Sequence, residues 1–214
     1  MFNCNLSKGL FMRVMRHLFL YLLLLLASGC GPDVVKLRPL PQDGIILAFG
    51  DSLTAGYGAA REQSYPAVLA QFSGLRVINA GVSGELSAAG RDRLPALLAD
   101  LQPQLVILCH GGNDLLRRTG DAAAKANLLA MIEQVRQTGA EVVLLGVPEP
   151  GIFLNPAAFY AELAEEARVA YIPELLAEVL GDPALKSDPA HPNAAGYQIM
   201  AQGIFDFLID AGAY

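Results

Sequence analysis

The chain is poor in cysteine, and its three cysteines cannot form a disulfide framework. Cys4 lies in the N-terminal stretch, Cys30 ends that stretch, and Cys109 lies in the apolar run Leu105–Cys109. A cysteine in such a run is typical of a small core residue. The sequence therefore excludes a disulfide-stabilised scaffold and a cysteine-based metal site.

Residues 1–29 are predicted to be a signal peptide of the lipoprotein type. Lys8, Arg13 and Arg16 precede the apolar stretch Leu18–Ala27, which is too short for a membrane span and typical of a secretory signal. Ala27-Ser28-Gly29-Cys30 resembles the lipobox of bacterial lipoproteins, where cleavage precedes a lipidated cysteine. The prediction is a periplasm-facing lipoprotein of the cell envelope, anchored to the membrane by lipid on Cys30. The alternatives are an ordinary cleaved signal and an N-terminal anchor.

Basic residues are also scarce. Lys and Arg number 15 against 21 Asp and Glu, and removal of Lys8, Arg13 and Arg16 leaves 12 against 21, a net charge of −9. Proteins that bind nucleic acid concentrate Lys and Arg in patches, and this chain has no such cluster. Nucleic acid is therefore not an expected partner.

Residues 30–43 are predicted to be a tether, because prolines interrupt them and they show little periodicity. From residue 44 to 214, short apolar runs alternate with helical patterns, as in a single domain. The expected strands are Ile45–Phe49, Leu75–Asn79, Leu105–Cys109, Val142–Val147 and Val169–Ile172. The expected helices cover 61–72, 87–101, 121–138, 156–167, 173–180 and 193–210.

The predicted fold class is α/β. Runs that are apolar at consecutive positions are typical of strands buried on both faces of a parallel sheet. Strand–helix alternation with right-handed crossovers indicates a three-layer α/β/α sandwich with a five-stranded, mainly parallel sheet. Ser52, Gly81–Gly84 and Gly111–Asn113 each follow a predicted strand directly. A site is expected where these segments meet, at the carboxyl edge of the sheet.

Ser52, Asp188 and His191 are the candidate catalytic residues. Serine becomes a strong nucleophile when a histidine accepts its proton and a carboxylate fixes the tautomer of that histidine. After the signal peptide, His110 and His191 are the only histidines. Asp188 and His191 each precede a proline, which favours an extended loop that lets the carboxylate reach Nδ1. The alternatives are a helix cap for Asp188 and a solvated loop for His191, with His110 at the rim or supporting the site.

Asn113 and Gly84 are candidates for binding an oxyanion. Asn113, whose side-chain amide can donate a hydrogen bond, follows paired glycines at a strand end. Gly84 offers an unhindered backbone N–H. Taken separately, each segment also fits an ordinary turn.

The order of these motifs resembles the SGNH subgroup of the GDSL hydrolases. Gly50-Asp51-Ser52-Leu53, Gly84, Gly111-x-Asn113-Asp114 and Asp188-x-x-His191 match the blocks of that family. The middle of the chain is most similar to the bacterial multifunctional thioesterase/lysophospholipase and arylesterase branch. The resemblance implies a flavodoxin-like SGNH domain over 44–214. It also implies Ser52 as nucleophile, His191 as base, Asp188 as its orienting partner, and an oxyanion hole formed by the Ser52 and Gly84 amides with the Asn113 side chain.

The leading hypothesis is a serine esterase that acts through an acyl-enzyme on short acyl or aryl esters, lysophospholipids or thioesters. One alternative is a deacetylase of envelope polysaccharide, and another is a non-catalytic lipoprotein binding module. The expected partner is a small ester or lysolipid, and the mechanism needs no metal or cofactor. Candidates for lining an acyl pocket are Leu115, Leu116, Ile152, Phe153 and Leu154.

Overall fold

The structure is a computed structural model that describes residues 35–151 and 154–214. The predicted signal peptide, Cys30, Ile152 and Phe153 lie outside the described residues. Within the described ranges, no helix combines the length and the apolar character needed to cross a bilayer.

A parallel sheet of five strands forms the centre of the domain, in the order β2-β1-β3-β4-β5. The strands are β1 (Ile45–Gly50), β2 (Arg76–Gly81), β3 (Leu105–Cys109), β4 (Glu141–Leu145) and β5 (Ala170–Ile172). Every residue from Leu105 to Cys109 is fully buried, and so is every residue from Ile46 to Phe49. Burial on both faces explains the continuous apolar runs. The predicted α/β fold is therefore confirmed.

Helices cover both faces of the sheet. Their bounds are α1 (Ser52–Ala55), α2 (Tyr65–Ser73), α3 (Ser87–Leu101), α4 (Gly112–Arg117), α5 (Asp121–Gln137), α6 (Ala158–Ala167), α7 (Leu175–Gly181) and α8 (Ala194–Asp210). The strand order reverses direction after β2, so right-handed crossovers place α2 and α3 on opposite faces. Helix α2 then packs against α8, which also contacts α7, and α3 packs against α5, which contacts α6.

The segment before β1 is attached to the domain over part of its length. The Leu37 and Leu40 amides donate to the carbonyls of Ala211 and Ala213, each at 2.9 Å, and the Leu37 side chain is buried. Lys36 Nζ donates to the carbonyl of Asp210 at 2.9 Å. Residues 36–40, inside the predicted tether 30–43 and upstream of position 44, are therefore packed against the domain. These contacts lie by the C-terminus of α8, at the sheet edge opposite Ser52.

Candidate active site

Ser52 lies at the carboxyl end of β1, on the first turn of α1. A tight turn makes this position possible, because a Cβ on Gly50 would lie 2.0 Å from the Cys109 carbonyl oxygen and 2.3 Å from Thr54 Oγ1. Asp51 caps α1, and its Oδ1 accepts a hydrogen bond from the Leu53 amide at 3.1 Å. The strand, the turn and the cap together hold the Ser52 hydroxyl at the rim of the sheet.

Asp188 and His191 face each other across a small hairpin. The strands β6 (Lys186–Asp188) and β7 (His191–Pro192) pair antiparallel, in the segment predicted to be an extended loop. Asp188 Oδ1 accepts from the amides of Ala190 at 2.8 Å and His191 at 3.0 Å. These two backbone hydrogen bonds fix the carboxylate independently of its contact with the imidazole.

The structure joins the three predicted catalytic residues in one chain of hydrogen bonds. Ser52 Oγ lies 3.0 Å from His191 Nε2. His191 Nδ1 lies 2.8 Å from Asp188 Oδ2 and 2.9 Å from Oδ1. Because Nδ1–H donates to the carboxylate, Nε2 is left to accept the serine proton. This is the geometry in which a histidine can take a proton from a serine hydroxyl.

Electrostatics keeps Asp188 ionised. Partial desolvation acts to raise the pKa of this carboxyl, but it is outweighed by the hydrogen bond from Ala190 and by the hydrogen bonds and charge of His191. The pKa of Asp188 therefore lies below its ordinary value. An ionised carboxylate accepts from Nδ1–H and stabilises the imidazolium that forms after proton transfer.

Asp51, in the same turn as Ser52, has the opposite shift. Complete burial raises the pKa of the Asp51 carboxyl, although the nearby His110, the Leu53 amide and His191 act to lower it. Its Oδ2 has no hydrogen-bond partner among the residues that the structure describes. Asp51 therefore caps α1 from a buried position.

The predicted oxyanion donors follow the neighbouring strands. Asn113 lies in α4, after β3, and lines the same cavity as Ser52 and His191. Gly84 lies in the loop after β2 with φ +79°, and its carbonyl accepts from Arg117 Nη2 of α4 at 3.2 Å. The structure brings Asn113 to the site directly. It places Gly84 beside α4 but outside the residues that line the cavity.

A mainly apolar cavity of about 190 Å³ opens beside Ser52 and His191. Of the predicted lining residues, Leu116 and Leu154 line this cavity, whereas Leu115 packs against the core. Leu53, Val147, Pro148, Pro150, Leu180 and Pro189 also line it. The cavity can bury an apolar group attached to a carbonyl at Ser52.

The loop after α1, which the sequence did not single out, holds the hairpin against Ser52. The Tyr57 ring lies 4.6 Å from the His191 ring, centroid to centroid, and Tyr197 Oη donates to the Tyr57 carbonyl at 2.8 Å. A Cβ on Gly58 would lie 2.7 Å from the Pro192 carbonyl oxygen, and Gly58 has φ +95°. The Gly56-Tyr57-Gly58 segment can be read in the sequence, but nothing in the sequence indicates that it contacts the hairpin.

His110 does not join the catalytic chain. It is fully buried, its Nδ1 accepts from the Gly111 amide at 2.9 Å, and its Nε2 lies 3.2 Å from Glu85 Oε2. It therefore lies beneath the loops of the site rather than exposed at their rim.

A serine, an imidazole and a carboxylate in this order, at the carboxyl edge of a parallel sheet, are the arrangement of a serine hydrolase. Comparison with known proteins agrees with this class. Residues 48–199 match the model of the GDSL-like Lipase/Acylhydrolase family. The chain therefore belongs to this family, as its motifs predicted, and is a serine hydrolase acting on ester bonds.

Individual relatives match over most of their length. Esterase TesA of Pseudomonas aeruginosa is 34% identical over 196 residues, covering 86% of this chain and 96% of the relative. Thioesterase 1/protease 1/lysophospholipase L1 of Escherichia coli is 35% identical over 183 residues, covering 82% of this chain and 83% of the relative. The structure of the psychrotrophic esterase EstA from Pseudoalteromonas, inhibited by monoethylphosphonate, aligns with a TM-score of 0.71 at 26% identity, covering 78% of this chain and 98% of EstA.

Proposed function

We propose that the protein hydrolyses short-chain carboxylic esters through an acyl-enzyme formed on Ser52. The observation that carries this proposal is the Ser52–His191–Asp188 chain of hydrogen bonds, with links of 3.0 and 2.8 Å. Ser52 is the nucleophile, His191 is the general base and then the general acid, and Asp188 orients His191. The relatives named as esterases support the reaction class.

Two half-reactions complete the cycle. Ser52 Oγ attacks the ester carbonyl while His191 Nε2 takes its proton, and the same proton then passes to the departing alcohol. Water attacks the acyl-enzyme with His191 again as base, which releases the acid and restores Ser52. The Asn113 amide and the backbone N–H groups of Ser52 and Gly84 stabilise the negative oxygen of each tetrahedral intermediate.

The size of the cavity favours short acyl groups. Its volume of about 190 Å³ lies below the range of roughly 300–1,000 Å³ that is usual for drug-sized ligands. Its walls are mainly apolar, so each methylene buried there contributes about 0.8 kcal/mol, or about fourfold in kcat/KM. A long acyl chain has to leave part of its length outside.

We expect kcat/KM to rise by about fourfold per methylene over the first few carbons and then to fall. The measurement is turnover of a series of aryl esters that differ only in acyl length, with a thioester and an acetylated glycan alongside. Leu154→Phe narrows the cavity and should move the optimum to a shorter chain. Absence of turnover on every oxygen ester would contradict the proposed function, and activity on the acetylated glycan alone would indicate a polysaccharide deacetylase.

We also propose that the protein is held in the cell envelope by lipid on Cys30. The support is the Ala27-Ser28-Gly29-Cys30 motif after an apolar stretch. Cys30→Ser should move the protein from the membrane fraction to the soluble fraction while kcat on a water-soluble ester stays unchanged. The readouts are fractionation, the mass of the N-terminal peptide and ester turnover. A variant that remains with the membrane would indicate an uncleaved N-terminal anchor instead.

A further inference from the structure

A cluster of charged side chains lies beneath the loop that carries Gly84. Arg93 of α3 donates from Nε to Glu85 Oε1 at 2.9 Å and from Nη2 to Glu85 Oε2 at 2.7 Å. The same Nη2 donates to the carbonyl oxygen of Ala80 at 3.1 Å. Ala80 precedes the loop and Glu85 directly follows Gly84, so one guanidinium holds both ends of this segment.

The ion pair in this cluster is well shielded from water. The Glu85 side chain is only 8% exposed and that of Arg93 28%. Partial burial acts to raise the pKa of Glu85, but the hydrogen bonds from Arg93 and His110 and the charge of Arg93 outweigh it, so this pKa lies below its ordinary value. A two-pronged Arg–carboxylate contact fixes orientation as well as distance. The carboxylate and the guanidinium therefore hold the loop in one geometry.

The cluster also reaches the segments that carry the other two oxyanion donors. The Arg93 guanidinium carbon lies 4.3 Å from the centroid of the Phe49 ring, three residues before Ser52. His110 directly precedes the Gly111-Gly112-Asn113 turn. Because its Nδ1 accepts from a backbone amide, its Nε2 carries the hydrogen that is shared with Glu85 Oε2 at 3.2 Å.

Helix α3 leaves room for this contact. A Cβ at Gly90 would lie 2.4 Å from His110 Nε2, so a larger residue there would displace the imidazole. One packed set of side chains therefore contacts the segments that lead into all three predicted oxyanion donors.

We propose that Arg93 is a positioning residue for the oxyanion hole. Through its hydrogen bonds to Glu85 and the Ala80 carbonyl, Arg93 holds the Gly84 loop in register with Ser52 and Asn113. Arg93 acts through the loop and does not contact the substrate. The inference rests on the proposed function, because it takes Gly84 as an oxyanion donor. Loss of the guanidinium should therefore weaken transition-state stabilisation more than substrate binding.

The test is kcat per active site for Arg93→Met and Arg93→Lys, with active sites counted by fluorophosphonate titration. Removal of one oxyanion donor costs about 10²–10³-fold in kcat, so a displaced donor should cost about 10- to 100-fold with KM within about threefold. Lysine keeps the charge but lacks the planar fork, so Arg93→Lys should recover only part of the loss and stay about three- to tenfold below the parent in kcat per site. A purely structural role would lower Tm and the number of titratable sites but leave kcat per site unchanged.

Arg38→Met is the matched control. Arg38 also donates to a glutamate, Glu141, and to a backbone carbonyl, that of Gly139, but at the opposite edge of the sheet. Its kcat should equal that of the parent. If Arg93→Met does not fold, the test uses Arg93→Lys and Glu85→Gln instead. A kcat per site within about twofold of the parent in both variants would overturn the inference. Failure of the proposed function is distinguishable, because the parent itself would then neither titrate nor turn over esters.

Discussion

Replacement of Ser52 with alanine is expected to lower kcat on a short-chain ester by about 10³-fold or more. The hydroxyl is the attacking atom, and no other residue described along the cavity carries one. Thr54 Oγ1 nearby is buried and lies 3.2 Å from Tyr65 Oη. Covalent labelling by a fluorophosphonate should disappear in the same variant, which separates a catalytic serine from one that only binds substrate.

Ser73→Ala is the control for this replacement. Ser73 ends α2, and its Oγ accepts from the Leu75 amide at 3.2 Å, away from the cavity. Its activity and labelling should match those of the parent. Near-normal ester cleavage by Ser52→Ala would mean that another group attacks the carbonyl, and the assignment of the nucleophile would then be wrong.

The sequence predicted well those helices and strands whose pattern of apolar residues is compatible with only one kind of secondary structure. The run Leu105–Cys109 is buried on both faces and forms β3 with the expected bounds, and α3 covers 87–101 as expected. The fourth strand ends at Leu145 rather than Val147, because the Val147 carbonyl accepts from the Ala157 amide at 3.2 Å instead of pairing with β5, and Val147 lines the cavity. An apolar cavity wall and a buried strand look alike in a sequence.

Contacts between distant segments were not predictable from local pattern. The Gly-Gly-Asn segment was compatible with a simple turn, yet it starts α4, which directs Leu116 to the cavity and Leu115 to the core. Prolines suggested a free tether, whereas the Leu37 amide is bonded to the Ala211 carbonyl. The Glu85–Arg93 pair depends on a helix docking over a loop, which no spacing rule encodes.

Asp188→Asn is expected to lower kcat by about 10³- to 10⁴-fold with little change in fold. The amide oxygen of asparagine can still accept from the backbone N–H groups of Ala190 and His191, which now bind Asp188 Oδ1 at 2.8 and 3.0 Å. Its NH₂ group then faces His191 Nδ1. A hydrogen bond from this NH₂ group favours the tautomer in which Nδ1 accepts, so the imidazole hydrogen moves to Nε2 and points at Ser52 Oγ. A histidine in that tautomer cannot take the serine proton.

Asp182→Asn provides a close control. Asp182 Oδ1 accepts from the amide two residues ahead, that of Ala184, at 2.8 Å, just as Asp188 Oδ1 accepts from Ala190 at the same distance. Asparagine preserves this turn at both positions, so Tm should hardly change in either variant. Only Asp188→Asn also changes the partner of an imidazole, and only it should lose kcat and fluorophosphonate reactivity. A loss of less than about tenfold would mean that the backbone of the hairpin and the Tyr57 ring orient His191 without the carboxylate charge.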